Sequence, residues 1–194
     1  MSNLTGKADE IVESTKALII AGGYNGFSYA DVSERVGIRK ASIHHHFPSK
    51  VDLVRTVVTS YRDEVLDGLA VIEQGSPDPA VQLTDYVELM QACIEDGSRP
   101  FCLCGMLAAE MPVLPPEVVQ EVRAYFVALS DWLCSVLQRG AEMHKIRLAG
   151  PAATEAELLV ATVYGAMLVA RARGDASVFA AVVQPLLHSL IIRH

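Results

Sequence analysis

The sequence predicts an all-α protein, with a small N-terminal helix-turn-helix three-helix domain and a larger helical C-terminal domain. Three observations carry that expectation. Apolar residues recur at three- and four-residue spacing along nearly the whole chain. Glycine and proline interrupt the pattern at intervals that suit helices. No alternating apolar–polar run of the kind a half-buried strand needs competes with it. A chain of 194 residues is long enough for one large or two small domains, each with a real core.

The elements follow in order. Residues 8–21 repeat Ile11, Thr15, Leu18 and Ile19 on one helical face, and the glycines at 22, 23 and 26 end that helix. Ser28 opens a second helix, with Asp31 three residues on as a capping box, and Val32 and Val36 point inward. Gly37 ends it, because the turn needs the positive φ that glycine visits cheaply. A third helix runs from about Arg39 to Phe47, and Pro48 breaks it. Ser49 caps a long fourth helix striped by Leu53, Val57, Tyr61, Val65 and Leu69. Residues 74–79 (QGSPDP) are turn chemistry.

A helix through Leu83, Tyr86, Val87, Met90 and Ile94 follows, then a short one near residues 102–110. Three prolines make residues 111–117 a loop. Val122, Phe126, Leu129, Leu133 and Leu137 stripe the longest helix, over residues 118–143. Two last helices are expected at about 153–173 and 176–191.

Composition removes several classes. Hydrophobic residues make up 51% of the chain, yet no run of about 18 apolar residues is evident, so a soluble protein without a membrane partner is expected. The N-terminus lacks the basic start and apolar core of a secretory signal. Four irregularly spaced cysteines do not make a disulfide scaffold, which points to a reducing cytoplasm. The net charge is −7, but unevenly spread. Residues 1–50 hold six Lys/Arg against five Asp/Glu, while the remainder holds ten against eighteen. From Arg35 to Lys50 there are four cations and no acid. A phosphate backbone senses that local field rather than the molecular sum.

Residues 27–50 (FSYADVSERVGIRKASIHHHFPSK) therefore hold the candidate chemistry. An eight-residue helix spans about 12 Å, enough to lie in a major groove. Its N-terminal residues Arg39, Lys40, Ala41 and Ser42 are placed to reach base edges. Arg or Lys donates to guanine, Ser serves either role, and Ala touches a thymine methyl. His44 and His45 lie further along and can donate to phosphates, and Lys50 sits at the next helix start. The bland alternatives are solvated charges at Arg39, Lys40 and Lys50. Three successive histidines point about 100° apart on a helix, so no metal site is expected there; His46 reads as a half-buried structural residue and Phe47 as a core plug.

The segment resembles the DNA-binding domain of the TetR (tetracycline repressor) family. The similar features are Gly26 before Phe27, the Ser28 start, the turn at Val36, Gly37 and Ile38, the helix ending His46-Phe47, and Ser49-Lys50. The resemblance covers residues 5–65, the expected DNA-binding domain. Over residues 66–194, the expected ligand-binding and dimerisation domain, it rests on helix order, the terminal helix pair and the stretch 102–115. It implies an all-α homodimer that binds a double-stranded operator, takes a small-molecule effector in its C-terminal domain, and is a repressor released by that effector. Ser28 and Tyr29 join the DNA-contact candidates on this basis. This chain departs from the family in having His44 where Tyr is usual, and Lys7 as the one basic residue of the N-terminal arm.

Cys102 stands near a helix start after Arg99, and both features raise thiolate content. Spacing i, i+2 is expected to point Cys102 and Cys104 to different faces. A Cys here, followed by Leu and later by Ala-Glu, is similar to the electrophile- and redox-sensing NemR-like branch. The alternative is that both cysteines are small core residues. Met90, Phe101, Met106, Met111, Tyr125, Phe126, Trp132 and Tyr164 suit an apolar effector cavity, or plain core packing. Arg99, Arg123 and Arg171 are the cations available to an anionic effector. The last two helices carry wide apolar stripes, with Ala161, Gly165 and Ala172 permitting close approach, and are expected to pair with a second copy or to close the monomer core.

No cofactor is expected and no enzyme: no histidine lies near Cys102 in sequence to serve as a base. A helical protein-interaction module without DNA binding is the alternative function.

Overall fold

The computed structural model describes residues 6–95 and 101–192. Among them the chain forms nine α-helices and one 3-10 turn: α1 (Gly6–Gly22), α2 (Tyr29–Val36), α3 (Lys40–His46), α4 (Lys50–Gly75), α5 (Pro79–Glu95), α6 (Leu103–Ala109), the turn Met111–Val113, α7 (Pro116–Glu142), α8 (Ala152–Arg173) and α9 (Ser177–Leu190). The predicted helices are all present. The proline-rich stretch expected to be a loop instead closes a 3-10 turn before α7. Proline tolerates the first helical positions, where its missing N–H has no partner to lose.

The helices group into two compact units. The first comprises Met1–Val65 together with Cys102–Phe126, the second Leu66–Phe101 together with Val127–His194. In the first, α1 packs on α2 and α6, and α2 on α3. Its core holds Ile11, Ile19, Val32, Ile43, Leu53 and Val57, all fully buried. Lys16 is itself buried on α1 and donates to Glu64 of α4 at 2.8 Å, so its charge is paired inside the unit.

In the second unit α8 runs along α9, and α5 packs on α9. Arg139 of α7 donates to Glu73 at 3.0 Å and to Gln82 at 2.8 Å, stitching α7 to the end of α4 and the start of α5. After α7, Ile146 pairs with Ile191 as a single antiparallel bridge. Arg147 N–H donates to the Leu190 carbonyl, and Ile192 N–H to that of Lys145.

One expectation about hydropathy needs correction. α8 is long and apolar enough, by length and composition, to cross a membrane. Its apolar side chains face two ways: Leu159, Val163, Ala166 and Met167 are buried, while Leu158, Leu168 and Val169 are exposed. A helix apolar on both faces passes a composition test even when one face belongs to a bundle core.

Candidate nucleic-acid interface

The local sequence builds the α2–turn–α3 unit through specific polar contacts. Ser28 caps α2: its hydroxyl accepts from Ala30 N–H at 3.2 Å, and Asp31 accepts from Ser28 N–H at 2.7 Å, closing the expected capping box. The hydrogen bonds from Ser28 hold the Asp31 carboxyl below its ordinary range. Gly37 then takes φ 71° and ψ 34°, the left-handed conformation foreseen for it, and both Gly37 and Ile38 N–H groups donate to the Ser33 carbonyl. The Ser33 hydroxyl donates to the Ile38 carbonyl at 2.5 Å. The turn between the two helices is thus tied three times to one residue.

This turn sets the face α3 presents. Ile43 and Phe47 are buried and His46 is half-buried, which leaves Arg39, Lys40, Ala41, Ser42, His44 and His45 exposed. Lys40 begins the helix and Arg39 is its cap, so both cations stand at the end where groove docking places base-reading side chains. An open groove of about 510 Å³ beside them is lined by Lys7, Ile38, Arg39, Ala41, Ser42, His45 and His46. Another, of about 280 Å³, is lined by Phe27, Ser28, Tyr29, His44 and Lys50. Eight of the nine DNA-contact candidates border one of the two grooves; Lys40, also exposed, borders neither.

Two candidates carry an internal duty as well. Tyr29 donates its hydroxyl to the Phe47 carbonyl at 2.8 Å and lies 4.6 Å from the His44 ring, centroid to centroid. Burial, with smaller contributions from Asp52 and Tyr24, pushes the Tyr29 phenol up to about 12. Lys50 points inward: its ammonium donates to the Phe27 carbonyl at 2.5 Å and sits over the rings of Phe27 and Tyr24, at 4.1 and 4.8 Å. Burial pushes the Lys50 ammonium below its usual value, and the charges of Asp31 and Glu110 offset part of that. Nothing local in the sequence gives this direction, because the partner lies 23 residues upstream.

Glu110, the acid of the Ala-Glu pair noted after Cys102, makes a contact that was not foreseen. It follows α6, and its carboxylate accepts from Tyr24 N–H at 2.7 Å across 86 residues of sequence.

The sensing candidates divide between the units. Cys102, Cys104, Met106 and Tyr125 belong to the first, Trp132 and Tyr164 to the second. Cys102 is the N-cap of α6, as its place near a helix start suggested, and is buried with Cys104. The Tyr61 hydroxyl donates to Cys102 Sγ at 3.3 Å, and the Cys102 thiol to the Tyr125 hydroxyl at 3.5 Å. The two sulfurs do not point apart as expected. Burial first, then a hydrogen bond to Cys102, pushes the Cys104 thiol well up. The helical 100° step fails here because Cys102 has extended backbone, φ −70° and ψ 130°, outside α6. Arg99, invoked beside it, lies outside the described residues. In the second unit Trp132 packs 5.8 Å from the Tyr86 ring, and its buried indole N–H has no hydrogen-bond partner among the described residues. Arg171 lies over the Phe101 ring at 5.3 Å.

Comparison with known proteins bears on this geometry. Residues 11–57 match the family model described as bacterial regulatory proteins, tetR family. A solved TetR-family transcriptional regulator from Agrobacterium tumefaciens is 53% identical, over 96% of this chain and 98% of that one, with a TM-score of 0.94. The transcriptional activator FasR of Mycolicibacterium smegmatis is 23% identical over 141 residues, which span 72% of this chain and 63% of FasR. The reduced form of E. coli NemR is similar in fold, with a TM-score of 0.83 at 17% identity over 95% of this chain and 97% of that one.

Proposed function

Because this chain belongs to the TetR family of bacterial regulatory proteins, we propose that it is a homodimeric DNA-binding transcriptional regulator whose operator affinity responds to a small molecule. The observation that carries the reading is the exposed cationic start of α3, held by the Gly37 turn, with Arg39 bordering an open groove. Residues 5–65 serve as the DNA-binding domain and 66–194 as the effector-binding and dimerisation domain. Arg39, Lys40, Ala41 and Ser42 meet base edges, while His44, His45 and Lys50 with Ser28 and Tyr29 serve the flanking phosphates. Repression relieved by the effector is our default. A bound dimer blocks or assists transcription according to where its operator lies, and the FasR relative is an activator.

Dimerisation is supported by the outward face of α8. Leu158 and Leu168 are 51% and 58% exposed, and Ala161, Gly165, Val169 and Ala172 share that exposed side. Val182 of α9 is exposed too. An apolar strip with small residues on two packed helices suits a two-fold four-helix interface. Two reading heads then meet half-sites about one helical turn apart.

The experiment is selection of bound duplexes from a random-sequence library with the purified chain, followed by gel shift on the enriched duplex. Arg39→Ala and Lys40→Ala each weaken that duplex about tenfold or more without lowering Tm. Unchanged affinity in both variants removes the DNA reading and favours a helical interaction module.

For the effector, a second reading rests on the Cys102 sulfur, which contacts the Tyr61 and Tyr125 hydroxyls and Cys104. In that reading an electrophile or hypochlorite reaches Cys102 when α6 opens and releases DNA from wild type but not from Cys102→Ser. Equal release from both leaves an apolar effector, with Met106 and Tyr125 of the first unit, or Trp132 and Tyr164 of the second, as the candidate contacts.

A further inference from the structure

The turn after α1 is held by a residue far away in sequence. Gly23 has φ 75°, and the next amide, Tyr24 N–H, donates to Glu110 Oε2 at 2.7 Å. Glu110 stands at the C-terminal end of α6, within the same compact unit. Gly23 makes room for it: a Cβ at this position would lie 2.4 to 2.6 Å from the Glu110 carboxylate atoms and would displace them.

From Tyr24 a series of contacts leads to the reading helices. The Tyr24 ring flanks the Lys50 ammonium, Lys50 donates to the Phe27 carbonyl, and the next residue, Ser28, caps α2. The Tyr29 hydroxyl, one residue further, holds the end of α3 through the Phe47 carbonyl. The carboxylate also faces Lys50 closely enough to favour its charge. A carboxylate accepting from a backbone N–H makes a charge-assisted bond, stronger than a neutral one. Short side-chain contacts therefore connect the end of α6 to the position of α3.

We propose that Glu110 is a positioning residue for operator binding: its carboxylate latches α6 onto the α1–α2 turn and so holds the reading helices in their DNA-competent place. The latch rests on the DNA-binding reading above. It makes any displacement of α6 costly to the head, because Tyr24 N–H loses its partner and Lys50 its nearby counter-charge.

The test compares the full-length wild type with Glu110→Ala and Glu110→Gln, using the duplex that wild type enriches from a random library and a scrambled control. Amide hydrogen exchange at Tyr24 is followed alongside. Gln keeps an oxygen acceptor; Ala does not. Glu110→Ala is expected to weaken the enriched duplex by about three- to thirty-fold, with faster exchange at Tyr24, and Glu110→Gln to lose less on both. A merely structural residue would lower Tm and the active fraction, measured by stoichiometric titration, but leave the Kd of the active fraction unchanged. If the Ala variant does not fold, Glu110→Asp, one methylene short of the turn, takes its place with the same expectation. Faster Tyr24 exchange with unchanged Kd overturns the latch, and so does unchanged exchange in the truncated variant. A wild type that enriches no duplex removes the DNA reading and the latch with it; variants that bind as well as a binding wild type remove the latch alone.

Discussion

The α2–α3 head and the α8–α9 pair are both helical, but different physics fixes them. In the head, polar contacts define each boundary: the Ser28–Asp31 box, left-handed Gly37, the Ser33 hydroxyl on Ile38, and Tyr29 on the Phe47 carbonyl. The terminal pair shares two such devices, left-handed Gly174 after α8 and Asp175 Oδ1 accepting from Ser177 N–H at the start of α9, but both helices are apolar along most of their length. Short helices are marginal alone and need local caps as well as packing, whereas long apolar ones can rely on burial. The head is thus a specified surface, and the pair an apolar one with an exposed outer face.

The largest expected effect separates the two faces of α8. Leu159→Ala removes a fully buried side chain and should cost about 2–5 kcal/mol, read as a fall in the denaturant midpoint. Leu168→Asp, on the exposed face, should leave monomer stability within about 0.5 kcal/mol but abolish dimers in sedimentation velocity. A Leu168→Asp protein that remains dimeric would break the comparison, since the outer strip would then have no task.

Next in size is the head's cap. Ser28→Ala should cost about 1 kcal/mol. It should also change the acid limb. Asp31 has a depressed pKa in the folded chain, so its contribution is present above the unfolded carboxylate range and is lost as pH falls through the folded value. The wild-type advantage over Ser28→Ala should therefore shrink on acidification in pH-dependent melts. A pH-independent difference would mean the box does not form in solution.

Smaller again is Lys50→Ala. If the inward hydrogen bond to Phe27 is the main role of this lysine, stability falls and the salt dependence of DNA binding is unaltered. If the ammonium also meets a phosphate, as we propose, the slope of log affinity against log salt flattens by about one unit.

The smallest effect is Tyr29→Phe, which loses one hydroxyl bond and about 0.5–1.5 kcal/mol. With the phenol raised to about 12, its stabilisation is whole below pH 10 and lost as pH climbs toward that value. The difference absorbance between wild type and Tyr29→Phe near 295 nm should stay flat through pH 10 and rise only above it.

The same contrast explains what was legible in the sequence. Gly37, Ser28 and the stripes of α1, α4 and α7 act over one to four residues, and local patterns encode such distances well. The exposed start of α3 followed from the turn. What escaped were contacts over long separations: Lys50 turning back to Phe27, and Glu110 reaching Tyr24. Periodicity also misled at Cys102, because a helix cap lies outside the helix whose angles were applied to it. Mean hydropathy along α8 hid a difference between its two faces that only packing reveals.

The clasp beyond α9 has a consequence for the lifetime of the protein. The amide of Arg147 and the carbonyl of Lys145 find their partners in Leu190 and Ile192. Proteolytic removal of Ile191 and Ile192 would strip the bond to Lys145 and the Ile146 bridge and loosen the segment leading into α8. If subunits meet at α8 and α9, as we propose, damage at this clasp would be felt there, and the dimer would come apart before the chain unfolded.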